Sequence, residues 1–127
     1  MTVRAIRGAV QVDADDPAQV VAATGELLAE VMAANSLSAD DIVFLLFTAT
    51  PDLTSQFPAA AVPGAGLAAV PRMCAVEMAV AGSLPRTVRL VVLAEGDPPR
   101  SAVRHVYLRG ARVLASGPAA GTGDGDG

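Results

Sequence analysis

The chain has 127 residues and a formal net charge of −4; apolar residues make up 52% of it and charged residues 17%. This length suits one domain with a buried core, and the apolar share argues against a disordered main body. The acidic balance, without a basic stripe, argues against nucleic-acid binding, and the apolar runs are too short to span a membrane.

The cysteine and histidine content limits the possible metal sites. The single cysteine, Cys74, excludes an internal disulfide and a cysteine-cluster metal site, and the single histidine, His105, argues against a histidine-based zinc site. No Gly-x-Gly-x-x-Gly links a strand to a helix, and the first residues carry no apolar leader. We therefore expect a cytoplasmic protein without a metal or a cofactor.

The N-terminal third predicts a strand followed by a long helix. Residues 3–12 carry short and β-branched side chains typical of a strand. The run Asp15-Asp16-Pro17 then predicts a helix N-terminus, because a carboxylate caps free N–H groups and proline fits the first helical position. Apolar residues follow at helical spacing on one face, and Asn35 is available as a left-handed cap.

The middle of the chain predicts two further apolar segments. Residues 42–47 are apolar throughout, which favours a strand covered on both faces. The segment 57–69 is rich in alanine, but its prolines and glycines keep any helix there short. Residues 71–80 form a second apolar segment, interrupted by Glu77.

The last third predicts two strands and a tail. Residues 86–94 alternate between two faces, and residues 103–114 predict a final strand that reverses near Gly110. Together these elements indicate an α/β (α+β) domain with a mixed five-stranded sheet, one long helix and one short helix. We expect this domain to cover residues 1–115 and a flexible Gly/Asp-rich tail to cover residues 116–127.

Ionisable side chains interrupt these apolar segments. They are Arg7, Glu77, Arg89 and Tyr107. For any one of them a solvated strand face is the ordinary explanation, but Arg89 shares its face with Val91 and Leu93. An arginine there needs anionic or lone-pair partners, because burying an unpaired charge is costly. Arginines converging with a tyrosine and a glutamate suit a small polyanionic ligand.

No pair of residues predicts covalent catalysis. Ser101 and His105 are four residues apart, but no carboxylate has an evident place to orient the imidazole. Cys74 lies between apolar neighbours, which is typical of an inert buried thiol. Arg104 and His105 are expected to have structural roles, with a side chain hydrogen-bonded to loop backbone. An enzyme with these residues would work by positioning and electrostatics.

Five short motifs carry a family resemblance. In chain order they read IRGAV (6–10), TATPDLTSQFPA (48–59), CAVEM (74–78), GSLPRTVR (82–89) and RHVYL (104–108). In order and spacing they resemble the monofunctional chorismate mutases of the trimeric α/β class. The resemblance implies a homotrimer that forms a pseudo-α/β barrel, with active sites in the clefts between subunits, and the cofactor-free rearrangement of chorismate to prephenate.

The resemblance also implies roles for individual residues. Arg89 would face the ether oxygen of chorismate, Arg7 and Tyr107 would hold a carboxylate, and Glu77 with Cys74 would bind the ring hydroxyl. The walls of the pocket would be formed by Phe57, Ala59, Met73 and Leu114. Phe57 would close the pocket of the next subunit, which accounts for an aromatic ring just beyond the end of a central strand.

The sequence departs from the family at three positions. Ala60, Pro63 and Ala115 stand where basic residues are expected, so substrate binding should be looser unless Arg72 or Arg112 compensates. Two alternatives stay open. One is a trimeric module of the same fold that binds a small anion with little or no catalysis. The other is an imine-hydrolysing deaminase of similar architecture.

Overall fold

Five strands form one mixed sheet in the computed structural model, which describes residues 2–116. In chain order they are β1 (Val3–Gln11), β2 (Ile42–Ala49), β3 (Arg72–Val76), β4 (Thr87–Glu95) and β5 (Val106–Leu108). Their spatial order is β3-β2-β4-β1-β5. The central strand β4 is antiparallel to β1 and β2, whereas the edge strands β3 and β5 run parallel to their neighbours. This architecture confirms the predicted fold class.

One long helix, α1 (Pro17–Ala34), covers one face of the sheet. The Asp16 side chain accepts a hydrogen bond from the Gln19 N–H at 3.0 Å, and Pro17 opens the first turn, as the sequence predicts. The helix buries one apolar face, whose residues are Val20, Ala23, Leu27, Leu28 and Val31. This face packs with the core side chains of the sheet, among them Val10, Leu45, Phe47, Val88 and Leu90.

Alternation along the strands separates this covered face from the other face of the sheet. In β4, Val88, Leu90, Val92 and Ala94 are buried, whereas the residues between them from Arg89 onward are half-buried. The strand register assigns matching residues to the second face, which we call the open face. The open face comprises Ala5, Arg7 and Ala9 of β1, Phe44, Leu46 and Thr48 of β2, Arg89, Val91 and Leu93 of β4, and Tyr107 of β5.

Several element boundaries differ from the predicted ones. The last strand ends at Leu108 and does not continue to Leu114, because Arg109 adopts a positive φ of 55° and turns the chain out of the sheet. A 3-10 turn, Arg109–Arg112, and the short helix α2 (Val113–Ser116) follow. Gly110 lies so close to the Gln11 side chain that a Cβ there would displace it, which suits a glycine.

Three other expectations need correction. The strand in the 71–80 segment ends at Val76, so Glu77 lies just beyond it. The left-handed residue after α1 is Ser36, with φ 53°, whereas Asn35 has φ −112°. Within residues 2–116 β2 is covered on one face only, since Phe44 is half-buried. The Ala-rich segment forms only 3-10 turns, Pro58–Ala61 and Pro63–Ala65, as its prolines and glycines predict.

The tail predicted for residues 116–127 lies, apart from residue 116, outside the described residues. No helix in the described part of the chain is both long enough and apolar enough to cross a membrane.

Candidate active site

A row of side chains crosses four strands on the open face. Thr48 pairs with Arg89 between β2 and β4, Arg89 pairs with Ala9 between β4 and β1, and Ala9 pairs with Tyr107 between β1 and β5. Adjacent strands lie about 4.8 Å apart, so Arg89 and Tyr107 are roughly 10 Å apart at their backbones. The small side chain of Ala9 is fully buried between them. The sheet thus places the Arg89 guanidinium and the Tyr107 phenol on either side of the small Ala9 side chain.

Glu77 joins this row from the end of β3. Its N–H donates to the carbonyl of Ala49 at 2.9 Å, which holds residue 77 beside the end of β2. Its carboxylate Oε1 accepts the Thr48 hydroxyl at 2.5 Å and lies 3.7 Å from Arg89 Nε. The Arg89 and Glu77 side chains are 20% and 29% exposed. Both charged groups are therefore reachable from solvent while their orientation is restricted.

Arg7 connects two clefts on this side of the sheet. One, of about 480 Å³, is lined by Arg7, Glu77 and Arg89 together with apolar residues of β2 and the 78–84 loop. The other, of about 370 Å³, is lined by Arg7, Tyr107 and Leu114. The structure thus brings together five of the predicted site residues. Two guanidinium groups, a carboxylate and a phenol in adjacent clefts suit a small anion that also carries a hydroxyl group.

The predicted wall residues from the middle of the chain lie elsewhere. Phe57 and Cys74 line a separate cleft of about 520 Å³ between the 49–58 loop and β3. Phe57 is 70% exposed and Met73 is 56% exposed, whereas Ala59 packs against the core. In the described part of the chain, none of these three clefts brings Phe57, Cys74, Met73 or Ala59 together with Arg7, Arg89 or Tyr107.

Asp15 anchors the loop that leads to Phe57. Its carboxylate accepts hydrogen bonds from the Thr54 N–H at 3.1 Å, the Thr54 hydroxyl at 3.0 Å and the Ser55 N–H at 3.0 Å. Hydrogen bonding from Ser55 and Thr54 lowers the pKa of this carboxyl to about 2. The loop is therefore fixed two residues before the exposed ring.

The His105 side chain is hydrogen-bonded to the backbone of strand β1, whereas the sequence predicts a hydrogen bond to loop backbone. Its Nδ1 accepts the N–H of Arg7 at 3.0 Å. Partial burial of the imidazole, and then the positive charge of Arg7, lower the pKa of His105 from 6.5. The neighbouring residue, Arg104, exchanges two backbone hydrogen bonds with the Asn35 amide, each 2.9 Å long.

Thr48 is the residue of this site that the sequence did not single out. A signal exists, because Thr48 is a polar residue on the face of β2 that otherwise carries Phe44 and Leu46. Its partner Glu77, however, comes from a different strand end. Only the parallel pairing of β2 with β3 brings the two together.

Arg72 and Arg112, the two possible substitutes for the missing basic residues, lie outside the clefts that Arg7 and Arg89 line. Arg72 Nη1 donates to the carbonyls of Leu67, Ala68 and Val70 at 3.2–3.3 Å, so this nitrogen caps the turn before β3. Arg112 is exposed in the 3-10 turn after β5. Across residues 2–116 no group of three or more His, Cys, Asp or Glu side chains is arranged to hold a metal ion.

Comparison with known proteins identifies relatives along most of the chain. The family described as chorismate mutase type I matches residues 3–116. The chain is 46% identical over 108 residues to chorismate mutase AroH of Thermus thermophilus, covering 84% of this chain and 88% of that protein. It is 38% identical over 115 residues to chorismate mutase AroH of Bacillus subtilis (strain 168), covering 90% and 91%.

A solved structure shows the same fold. A chorismate mutase from Clostridium thermocellum superposes with a TM-score of 0.85 at 40% identity, covering 87% of this chain and 98% of the other.

Proposed function

The chain belongs to the chorismate mutase type I family, and on that premise we propose that its active site is built on the open face around Arg89 and Glu77. The protein is a chorismate mutase, an isomerase that converts chorismate to prephenate in aromatic amino acid biosynthesis. The proposal concerns which residues do this and from which subunits they come.

The reaction makes few chemical demands on the protein. Chorismate rearranges in one concerted step, in which the ether C–O bond breaks while a new C–C bond forms within the same molecule. No atom enters or leaves, and no proton is transferred. A site can therefore accelerate the reaction by holding the compact conformer and by stabilising the charge that develops on the ether oxygen.

Arg89 supplies the charge at the ether oxygen. The observation that carries this role is its position in the row across the open face, half-buried, with Nε 3.7 Å from Glu77 Oε1. A cation that is already oriented interacts more strongly with a stretched, polarised ether than with the ground-state ether. That difference lowers the barrier and does not merely tighten binding.

The remaining polar groups restrict the substrate. Arg7 and Tyr107 line one cleft and bind a carboxylate, for which a guanidinium and a phenol are suitable donors. Glu77, oriented by Thr48, accepts a hydrogen bond from the ring hydroxyl, and Cys74 assists from the neighbouring wall. Binding at both ends removes rotational freedom before the barrier is reached.

Two chains complete each site in a homotrimer. The support is twofold: the open face carries half-buried apolar residues such as Phe44, Leu46, Val91 and Leu93, and the exposed Phe57 lies in a cleft separate from Arg89. A partly exposed apolar face of this kind is typical of a protein interface. Phe57, Ala59, Met73 and Cys74 of one subunit then face Arg89 of the next, while Leu114 closes the Tyr107 end.

Subunit mixing tests this arrangement. Arg89→Ala and Phe57→Asp each inactivate the site from one side, so each homotrimer is poorly active. A trimer refolded from both variants contains some sites with an intact Arg89 from one chain and an intact Phe57 from its neighbour. Recovery of chorismate consumption on mixing supports a shared site, and no recovery in mixed particles of trimer size contradicts it.

A direct assay tests the residue assignments as a whole. Purified protein is mixed with chorismate, and loss of chorismate absorbance is followed together with prephenate formation. Turnover that is insensitive to chelators and depends on Arg89 and Glu77 supports the assignments, whereas full turnover in the Arg89→Ala and Glu77→Ala variants contradicts them. A cytoplasmic location is also part of the proposal, since a free cysteine suits a reducing compartment, and cell fractionation tests it.

A further inference from the structure

The imidazole of His105 extends the β1–β5 ladder towards the proposed active site. Backbone pairing between the two strands begins at Gly8 and Val106. One residue earlier on each strand, the Arg7 N–H donates to His105 Nδ1 at 3.0 Å. A ring nitrogen therefore occupies the position that a backbone carbonyl occupies within a ladder. An Nδ1 atom can accept this bond only while it is unprotonated.

We propose that neutral His105 is a positioning residue, which holds Arg7 and Tyr107 in place for the substrate carboxylate and releases them when the imidazole is protonated. This inference rests on the proposed roles of Arg7 and Tyr107. Its consequence is that kcat/KM falls in mild acid although the reaction itself transfers no proton.

The geometry links His105 to both site residues. Arg7, His105 and Tyr107 line one cleft, and the Arg7 backbone that the imidazole holds also carries the guanidinium. Tyr107 lies two residues after His105 and belongs to β5, which has only three residues. In so short an edge strand, one additional hydrogen bond at its start is a large share of the interactions that fix its register.

The charges around the imidazole favour its neutral form. Arg7 approaches from β1, and Arg104 and Tyr107 belong to the same segment as His105. The α2 segment contributes uncharged Leu114 and Ala115, and α1 meets the segment through the neutral amide of Asn35. Partial burial, followed by the charge of Arg7, lowers the pKa of His105 from 6.5.

Protonation has two opposing effects on a doubly anionic substrate. The new positive charge attracts it, but an exposed charge contributes at most a modest attraction in water. Against this, the Arg7 N–H loses its acceptor and Arg7 gains a like-charged neighbour. The loss of an acceptor for a strand N–H that fixes two binding residues is the larger effect, so the net result in acid is weaker catalysis.

Two substitutions separate the hydrogen bond from the charge. In His105→Asn, Oδ1 occupies the place of Nδ1, one bond from Cγ, and accepts the same N–H without titrating near neutrality. In His105→Ala the acceptor is lost. We expect His105→Ala to lower kcat/KM at neutral pH roughly tenfold, the effect of one hydrogen bond, and His105→Asn to recover most of that loss.

The pH profiles provide the decisive readout. The unsubstituted enzyme should lose kcat/KM as the pH falls below 6.5 through the lowered pKa of His105, and neither variant should show this acid limb. In parallel, the Arg7 amide resonance should shift over the same pH range in the unsubstituted protein and stay constant in His105→Asn. An acid limb that persists in His105→Asn belongs to another group and overturns the proposal.

One further variant distinguishes this inference from the proposed function. If Arg7→Ala is impaired while His105→Ala is fully active at all pH values, the positioning role is wrong and the site assignment stands. If Arg7→Ala itself keeps full kcat/KM, the proposed active site is wrong, and the role of His105 fails with it.

Discussion

The Nε atom of Arg89 lies 3.7 Å from Oε1 of Glu77 on the open face of the sheet. Both side chains are more buried than exposed, so the cost of removing the two charges from water offsets much of their attraction. The arrangement therefore has little value for folding. Its value lies in orienting a cation and an anion towards the same cleft, and substitutions here should change turnover more than stability.

Arg89→Ala should lower kcat roughly 10²-fold or more, by analogy with the loss of a preorganised oxyanion donor, and should raise KM much less. The reason is that the guanidinium interacts chiefly with charge that develops in the transition state. Steady-state kinetics with chorismate measure both constants. Arg4→Ala is the matched control, because Arg4 Nε donates to the carbonyl of Pro98, away from the open face. Full turnover in Arg89→Ala contradicts the assigned role.

Thr48→Val should lower kcat/KM roughly tenfold, because valine keeps the shape of threonine but cannot donate to Glu77 Oε1. The carboxylate then loses the hydrogen bond that orients it beside Arg89. Thr48→Ser keeps the hydroxyl and should retain most of the activity, which makes it the control. Equal kinetics for the valine and serine variants would show that Thr48 does not act through Glu77.

The sequence predicts which face of a strand each residue lies on, but it does not predict which residues lie opposite one another on paired strands. A two-residue period in 86–94 separates Arg89 from the buried Val88 and Leu90, and the structure confirms this alternation. It says nothing about which residue lies opposite Arg89. That relationship depends on the antiparallel pairing of β4 with both β1 and β2, segments far apart in the chain, so Thr48 and Ala9 could not be assigned to the row.

The sequence does not define the strand ends well, because apolar residues continue beyond them. Residues 109–114 look like a strand by composition, but the positive φ of Arg109 and the contact of Gly110 with Gln11 direct the chain out of the sheet. Both features depend on how this segment packs against the rest of the fold. The helix boundary at Asp16 and Pro17, by contrast, follows from local capping, and it was predicted correctly.

Gly8→Ala should destabilise the protein, and Gly25→Ala should stabilise it. A Cβ on Gly8 would lie 3.0 Å from the Val106 carbonyl oxygen and 3.1 Å from Leu27 Cδ1, so β1, β5 and α1 would have to separate slightly. Gly25 has open space around it within α1, where alanine is favoured over glycine by about 1 kcal/mol. Thermal melting should show Tm lowered in the first variant and raised by about 4 °C in the second. Shifts of the same sign would contradict the packing described for β1.

Asp15→Asn should reduce stability at neutral pH, and the difference from the unsubstituted protein should disappear in strong acid. Hydrogen bonds from Thr54 and Ser55 lower the pKa of Asp15 from 3.8 to about 2, so the folded state favours the carboxylate. This contribution is complete above pH 3.8 and is lost as the pH falls through about 2. Melting temperatures measured across this range test the prediction, with exposed Asp13→Asn as the control. A stability difference that stays constant across the acid range would mean that Asp15 stabilises the loop without its charge.

Because Asp15 also fixes the loop before Phe57, the Asp15→Asn variant should show a raised KM for chorismate.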